Sequence, residues 1–339
     1  MKKRETSSWV VVLLCLLAFG GLLIPPGALA KGPIVLKLGH IGSALAPNHF
    51  QQLYFAEQVA KKTKGGVKVD VYPAAQLGSA NKMIKGLPIG VVDLVPESVG
   101  RLAMYEPGFK LFDLPYFLES NEEGVKILNS PVGQELLQGV RKKSGVMLLN
   151  YNTYRLPRLL YTTRKPIRAP SDMKGVKIRI KKMKQFVFYW ENIGAIPISV
   201  AYSELYTALS QGMVEAMEGI ITAGAGKKFY EVLKYATMIN YTHELHGYYM
   251  SERKFKSLSP EFQEILRETA VEASNWYNRE SKAEEANAIR AYKKAGVEFI
   301  EPDLTPFRKA AEGLPERLER EGEWEKGLYE KMKAAKGGK

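Results

Sequence analysis

The 339-residue chain has one cysteine and four histidines. A single thiol excludes a disulfide framework, an iron–sulfur cluster and any multi-cysteine zinc site. The histidines have no partners organised as a nucleophilic triad, and no G-x-S-x-G elbow occurs. Gly219, Gly224, Gly226 and Lys227 fall short of a phosphate loop, because Ala225 follows Gly224 and Lys228 follows Lys227 where G-K-[ST] is required. Those glycines read as a turn before a helix. In His243-Glu244-Leu245-His246 the histidines stand three apart instead of four, within a strand-like stretch that continues through Tyr248, Tyr249 and Met250. Positions three apart on a strand face opposite sides, so the two rings cannot share a metal. The sequence therefore offers no catalytic residue, no metal site and no cofactor motif. Acidic side chains are also in deficit: 36 Asp+Glu against 49 Lys+Arg leave a formal net charge of +13.

The first thirty residues change what that charge means. Lys2, Lys3 and Arg4 precede an apolar run from Trp9 to Ile24, then Pro25-Pro26-Gly27 and Ala28-Leu29-Ala30. A basic start, a short apolar segment and an A-x-A site form an export signal, and the run is shorter than the ~20 residues a spanning helix needs. Cleavage after Ala30 is expected, and an uncleaved anchor is the alternative. Cys15 sits between Leu14 and Leu16-Leu17, which does not suit a lipid-modified cysteine, so it leaves with the signal. The mature chain then has no cysteine and no disulfide partner, which suits an oxidising compartment. Its charge falls to +11, since three basic residues and Glu5 are lost. An exported protein meets little nucleic acid, so the surplus is left for anionic solutes or a membrane surface. No basic amphipathic segment with an aromatic wedge supports the membrane.

From Lys31 onward, strand and helix patterns alternate. Residues 34–40 read as a strand and Phe50–Lys64 as a helix. Val67, Val69 and Val71 alternate with polar residues as a half-buried strand, and Val91–Val95 reads as another. Val146–Leu149 is a continuous apolar run, as expected of a central strand covered on both faces. A second series follows with strand Val176–Ile180, helix Lys184–Ile193 and helix Ser203–Gln211. Such alternation predicts an α/β fold with helices on both sheet faces. Pro260–Lys294 has no glycine and no internal proline, and at 1.5 Å per residue it predicts a helix of about 50 Å, longer than a small domain is wide. The basic tail 331–339 is expected to fray. No internal repeat or low-complexity linker divides the chain.

Arg179 falls near the C-terminal end of a predicted strand, where ligands sit in open α/β sheets. Arginine can grip a carboxylate through two parallel hydrogen bonds. A structural ion pair or an exposed strand end accounts for it equally well. Arg155, after Tyr151–Tyr154, carries the same ambiguity. Lys181, Lys182 and Lys184 read as a solvated face. Phe186, Trp190 and Ile193 form a helical stripe that belongs in a core.

Several short stretches, in order across residues 34–303, together resemble the solute-binding proteins of TRAP transporters. They are Phe55–Val59, the run Tyr72-Pro73-Ala74-Ala75-Gln76-Leu77-Gly78, Asp113-Leu114-Pro115-Tyr116-Phe117 and Asp172-Met173-Lys174-Gly175-Val176-Lys177-Ile178-Arg179. Gly194–Pro197, Ser203–Leu209 and Lys228–Val232 complete the set. The resemblance implies a two-lobed periplasmic binding protein fold, type II-like, with hinge strands and a long helix spanning both lobes. Residues 31–152 with 245–284 would form the first lobe, and 153–244 with 285–330 the second. It also implies that Arg179 binds the ligand carboxylate and that Arg155 is a second family arginine. Glu97 matches a position holding polar ligand groups, and Tyr202 an aromatic that packs on the ligand. The implied function is periplasmic capture of an organic acid by hinge closure and delivery to the transporter's membrane subunits, as a monomer and without catalysis. A binding protein of an ATP-driven importer, a ligand-sensing module and an exported enzyme are the alternatives.

Three departures bear on the ligand. Ile180-Lys181-Lys182 replaces the family's small or apolar residue and proline, and brings Lys182 into consideration as a ligand contact. Met217-Glu218-Gly219-Ile220 stands where many members have Gln-Glu-Asn-Pro, so Gly219 removes an amide donor and opens space. Tyr241 occupies a position where histidine is common. These changes predict a larger, partly apolar or aromatic carboxylate, or a multiply charged anion.

Overall fold

The structure is a computed structural model that describes residues 32–181 and 183–337. The expected export signal (residues 1–30) and Lys182 lie outside the described residues. Twelve strands in the described residues form two six-stranded sheets. The first sheet contains β1 (Ile34–Gly39), β2 (Val67–Tyr72), β3 (Leu94–Ser98), β4 (Val146–Leu148) and β5 (Thr153–Tyr154). The second contains β6 (Leu159–Thr162), β7 (Lys177–Ile180), β8 (Ile196–Ser199), β9 (Ala216–Gly219) and β10 (Tyr235–Thr237). β11 (Leu245–Ser251) returns to the first sheet and β12 (Glu298–Ile300) to the second. The strand orders are β2-β1-β3-β11-β4, with β5 also on β11, and β12-β10-β6-β9-β7-β8. The fold is therefore two-lobed, and the chain crosses between lobes after β5 (155–158), at 238–244, along the helix Pro260–Lys294 and again before the C-terminal helix Leu328–Gly337.

That 35-residue helix has the bounds its composition predicts. Ser259 caps it by accepting from the Phe262 amide at 3.2 Å, Pro260 occupies its first turn, and Gly296 (φ 83°) follows its end. Leu266, Ala270 and Ala273 are buried in the core of the first lobe, whereas Ala288 and Tyr292 are buried in the core of the second. A single rigid element thus contributes to both cores. Tyr54 stacks on Trp276 with centroids 5.3 Å apart, which fixes the helix Pro47–Lys62 against it.

Four expectations need correction. Val146–Leu148 is at the end of its sheet's strand order and is not central. Its apolar run reflects layers on both faces: Val146 joins one core cluster, and Met147 and Leu149 another. The strand expected at 91–95 begins at Leu94, because Gly90 turns the chain (φ 78°) and Val91 is exposed. This places Glu97 within β3. The glycine-rich turn at 219–227 contains a short helix, Ile221–Ala225. A Cβ on Gly224 would lie 2.3 Å from the Tyr292 hydroxyl, so a larger residue there would displace that side chain. Finally, the tail does not fray over 331–337: Leu328–Gly337 is helical, Met332 is fully buried, and Lys336 pairs with Glu123 at 3.2 Å. A buried apolar anchor and an ion pair outweigh the small, basic composition of that segment.

Asn150 ties down the chain ahead of the first crossing. Its amide donates to the Ala270 carbonyl at 3.0 Å and to Ser274 Oγ at 2.6 Å, and its oxygen accepts from the Tyr248 amide at 3.0 Å. The Asn150 backbone oxygen also approaches Gly247 of β11 so closely that a Cβ there would lie 2.0 Å away. Because backbone must move to admit a methyl group, Gly247→Ala should cost about 2 kcal/mol or more of unfolding free energy, measured by denaturant titration. An unaltered midpoint would disprove this packing.

Candidate ligand-binding cleft

Parallel strands of both sheets end at one cleft, the position where open α/β sheets place ligands. His40 follows β1, Glu97 lies in β3, Arg179 in β7 and Gly219 at the end of β9. β11 runs antiparallel to β3, so it presents its N-terminal end, with His246, to the same space. The cleft contains about 890 Å³ of non-atom space, open mouth included.

The structure brings together Arg179, Arg155, Glu97, Tyr202 and Gly219 in this lining. Lys182 lies outside the described residues. Lys181 was expected on a solvated face but lines the cleft, and Lys184 is mostly exposed. Phe186, Trp190 and Ile193 are core. Tyr241 is buried beside Tyr189 and Trp190 and does not line the cleft, so this departure from the family leaves the ligand space unchanged.

Among the described residues five arginine and lysine side chains line the cleft, and their pairing decides its chemistry. Arg158 donates from Nε to Glu218 Oε2, from Nη2 to the Glu218 carbonyl at 3.2 Å, and from Nη1 to Glu244 Oε2 at 3.4 Å. Lys181 Nζ donates to Glu244 Oε1. Arg101 Nε lies 3.8 Å from Glu97 Oε2, and Glu97 Oε1 accepts the Ser98 amide at 2.9 Å. Arg155 and Arg179 are left over. Among the described residues, neither has a carboxylate within 4.0 Å, yet both are more than nine-tenths buried. Arg155 Nη1 donates to the Tyr277 hydroxyl of the long helix at 2.7 Å, and its Nε has no partner. Arg179 Nε donates to the Val200 carbonyl at 2.9 Å, and its guanidinium lies 5.7 Å from the Tyr202 ring centre.

The titration shifts follow from this arrangement. Burial opposes ionisation of Glu97 and Glu244, but neighbouring cations outweigh it: Arg101 and His246 at Glu97, Lys181 and Arg158 at Glu244. Both carboxyls are held below the usual range. Burial lowers Arg179, and the nearby Arg158 adds to this. Burial, with His49 adjoining, depresses His40 to about 4, and burial also lowers His49, His243 and His246. Asp113 is buried with Oδ1 unpartnered, and burial pushes its carboxyl up to about 6.

Sequence reading missed Arg158, Glu244 and His40. Arg158 stands alone before the apolar Leu159-Leu160-Tyr161, a pattern consistent with a buried ion, while Glu244 was noted only within a rejected metal motif. Among the described residues, no cluster of three or more His, Cys, Asp or Glu side chains could hold a metal.

The histidine shifts make stability depend on pH. Each ring takes up its proton at lower pH in the folded chain than the ordinary 6.5, so acidification favours the unfolded chain. Asp113 opposes this between about pH 6 and its ordinary 3.8, because the folded state is protonated first. With four rings against two carboxyls raised by burial, Asp113 and Glu285, the thermal midpoint should fall from pH 6.5 to 4 in calorimetry. A rising midpoint over that window would contradict the assignment.

The chain is similar over most of its length to known proteins. The family of bacterial extracellular solute-binding proteins, family 7, matches residues 38–321. The 2,3-diketo-L-gulonate-binding periplasmic protein of Escherichia coli K12 is 30% identical over 267 residues, which is 78% of this chain and 80% of the relative. The C4-dicarboxylate-binding periplasmic protein of Rhodobacter capsulatus is 30% identical over 84% of each chain. A TRAP periplasmic solute-binding protein from Polaromonas sp. JS666, solved with D-erythronate, superposes with a TM-score of 0.81 at 26% identity, covering 90% of this chain and 99% of its own.

Proposed function

The chain belongs to family 7 of the bacterial extracellular solute-binding proteins, and we propose that it captures a hydroxylated organic acid whose carboxylate is gripped by Arg155 and Arg179. It is the solute-binding subunit of a TRAP transporter. The observation that carries the ligand proposal is the pair of buried arginines left without carboxylates after Arg101, Arg158 and Lys181 have found theirs. Burying an unpaired cation is costly, so the fold is completed by an anion from solution. A planar guanidinium with free donors suits a carboxylate.

The remaining lining supports hydroxyl groups on that acid. Glu97 and Glu244 offer acceptors, and Asn48 and His40 offer mixed donors and acceptors. Ile41, Pro96, Met217 and Ile220 line the same space and would pack on the carbon skeleton of the acid. The E. coli relative and the Polaromonas neighbour, which take 2,3-diketo-L-gulonate and D-erythronate, are consistent with hydroxylated acids.

The first sheet with its helices would move as one body and the second sheet with its helices as the other, hinged at the crossings; the expected boundary at 152/153 shifts past β5, which pairs with β11 of the first sheet. The helix Leu328–Gly337 docks on the first body, against helices Asn121–Asn129 and Pro131–Ser144. Closure requires tighter binding to the closed form than to the open one. The proposed location is the periplasm, reached through the signal at 1–30 with cleavage after Ala30, where a monomer delivers the acid unaltered to the membrane subunits.

Arg179→Ala should weaken binding of a hydroxy acid such as D-erythronate at least about tenfold in calorimetry, since loss of one partner of a buried ion pair costs roughly 2–5 kcal/mol. Unchanged affinity would overturn the role of Arg179. Tyr277→Phe removes the bond that orients Arg155 and should weaken the same acid by about threefold to tenfold, while Arg179 contacts persist. Chemical change of the recovered acid would overturn the binding-only reading.

A further inference from the structure

A second open space of about 980 Å³, mouth included, lies against the hinge. Among the described residues it shares only Arg155 with the ligand cleft, so it is a separate space. Three of the segments that join the lobes line it: Arg155 to Pro157 of the first crossing, His243 of the second, and the stretch of the long helix that carries Arg279 and Lys282. Tyr154 of β5 and the start of the helix Asn121–Asn129 contribute the rest.

The amide groups around this space are already spent. Asn278 accepts the Tyr154 amide at 2.8 Å and donates to the Asn152 carbonyl at 2.8 Å, and Asn121 donates to the Glu244 carbonyl at 2.8 Å. The cations are not spent. Arg155 is more than nine-tenths buried, gives Nη1 to Tyr277 and keeps an Nε without a partner. Arg279 and Lys282 stand three positions apart, on one face of the helix, and among the described residues neither forms a salt bridge. Burial lowers the pKa of His243, so that ring adds no charge near neutral pH. Glu122 is the one carboxylate among the described lining residues, and it is exposed. Three cations against one solvated carboxylate leave a surplus of positive charge beside the hinge.

We propose that this space is a second anion site, which binds a tetrahedral inorganic oxyanion of the sulfate or phosphate class among Arg155, Arg279 and Lys282 and thereby lowers the affinity of the cleft for its acid. Arg155 lines both spaces, so an anion beside it draws on the same positive charge that the carboxylate of the acid uses. The site is also built from the segments about which the lobes move, so its occupancy is linked to closure. Linkage makes the effect reciprocal: the acid weakens the oxyanion by the same factor. The antagonism rests on the organic-acid reading above, whereas the anion site itself does not.

Titration calorimetry on the exported protein tests this, at constant ionic strength, with sodium chloride replaced stepwise by sodium sulfate or sodium phosphate. D-erythronate should bind about threefold to tenfold more weakly in the oxyanion, a coupling of ordinary size, and the loss should level off once the second site is full. Replacing both Arg279→Gln and Lys282→Gln should abolish the loss and leave the affinity in chloride within about twofold, because neither residue lines the cleft and screening weakens their long-range effect. The same charge removal at the exposed Lys61 and Lys309 should preserve the loss. A loss that grows without levelling and persists in the Arg279/Lys282 variant would mean competition inside the cleft and would overturn the second site, as would no loss in either salt. Sulfate titrated into the acid-free protein should lose a binding component in that variant. If D-erythronate does not bind, the organic-acid reading falls alone, and identical sulfate titrations for the two proteins would overturn the anion site.

Discussion

Arg158 satisfies two buried carboxylates at once, Glu218 through Nε and Glu244 through Nη1, and the electrostatics of the cleft depend on this arrangement. Glu244 is shared with Lys181, so one carboxylate also neutralises the lysine at the end of β7. If Glu218 were free, it would be the natural partner for Arg179, whose titration already registers its charge. Engaged by Arg158, it leaves the Arg179 guanidinium available to a ligand. On the proposed reading the cleft takes an anion because its own carboxylates are already paired with Arg158, Lys181 and Arg101.

Mechanical support comes from the long helix. It is buried in one core through Leu266 and Ala270 and in the other through Tyr292, and between these anchors Tyr277 holds Arg155. One of the two free arginines is therefore positioned by the element that connects the lobes. Asn150 fastens the chain ahead of the first crossing to the same helix and to β11, whose first residues contribute His246 to the cleft. Binding-site geometry and lobe geometry share these few residues, so movement of one body against the other also changes the spacing of the polar groups around a bound acid.

Local patterns carried much of the architecture. The glycine-free, amphipathic run from Pro260 to Lys294 could be little other than a long helix, and alternation in Val67–Val71 marked a strand with one buried face. Errors arose where local composition competed with tertiary contacts. The small, basic tail is helical because Met332 finds a buried site, and Val146–Leu148 is apolar because both faces are covered, whatever its place in the strand order. Arg179, Arg155, Glu97, Tyr202 and Gly219, the positions the family resemblance named, line one cleft, whereas Tyr241 is core.

By itself the sequence determined the export-type start, the α/β alternation, the spanning helix and the presence of arginines at strand ends. These are properties of short windows, set by periodicity, by backbone-restricting residues and by residue type. Which cations in the cleft are neutralised was decided only by the tertiary structure. Arg158 meets Glu218 and Glu244 across 60 and 86 residues, and Lys181 meets Glu244 across 63. Coulombic pairing depends on distance in space, and no local pattern records which two side chains the folded chain brings together.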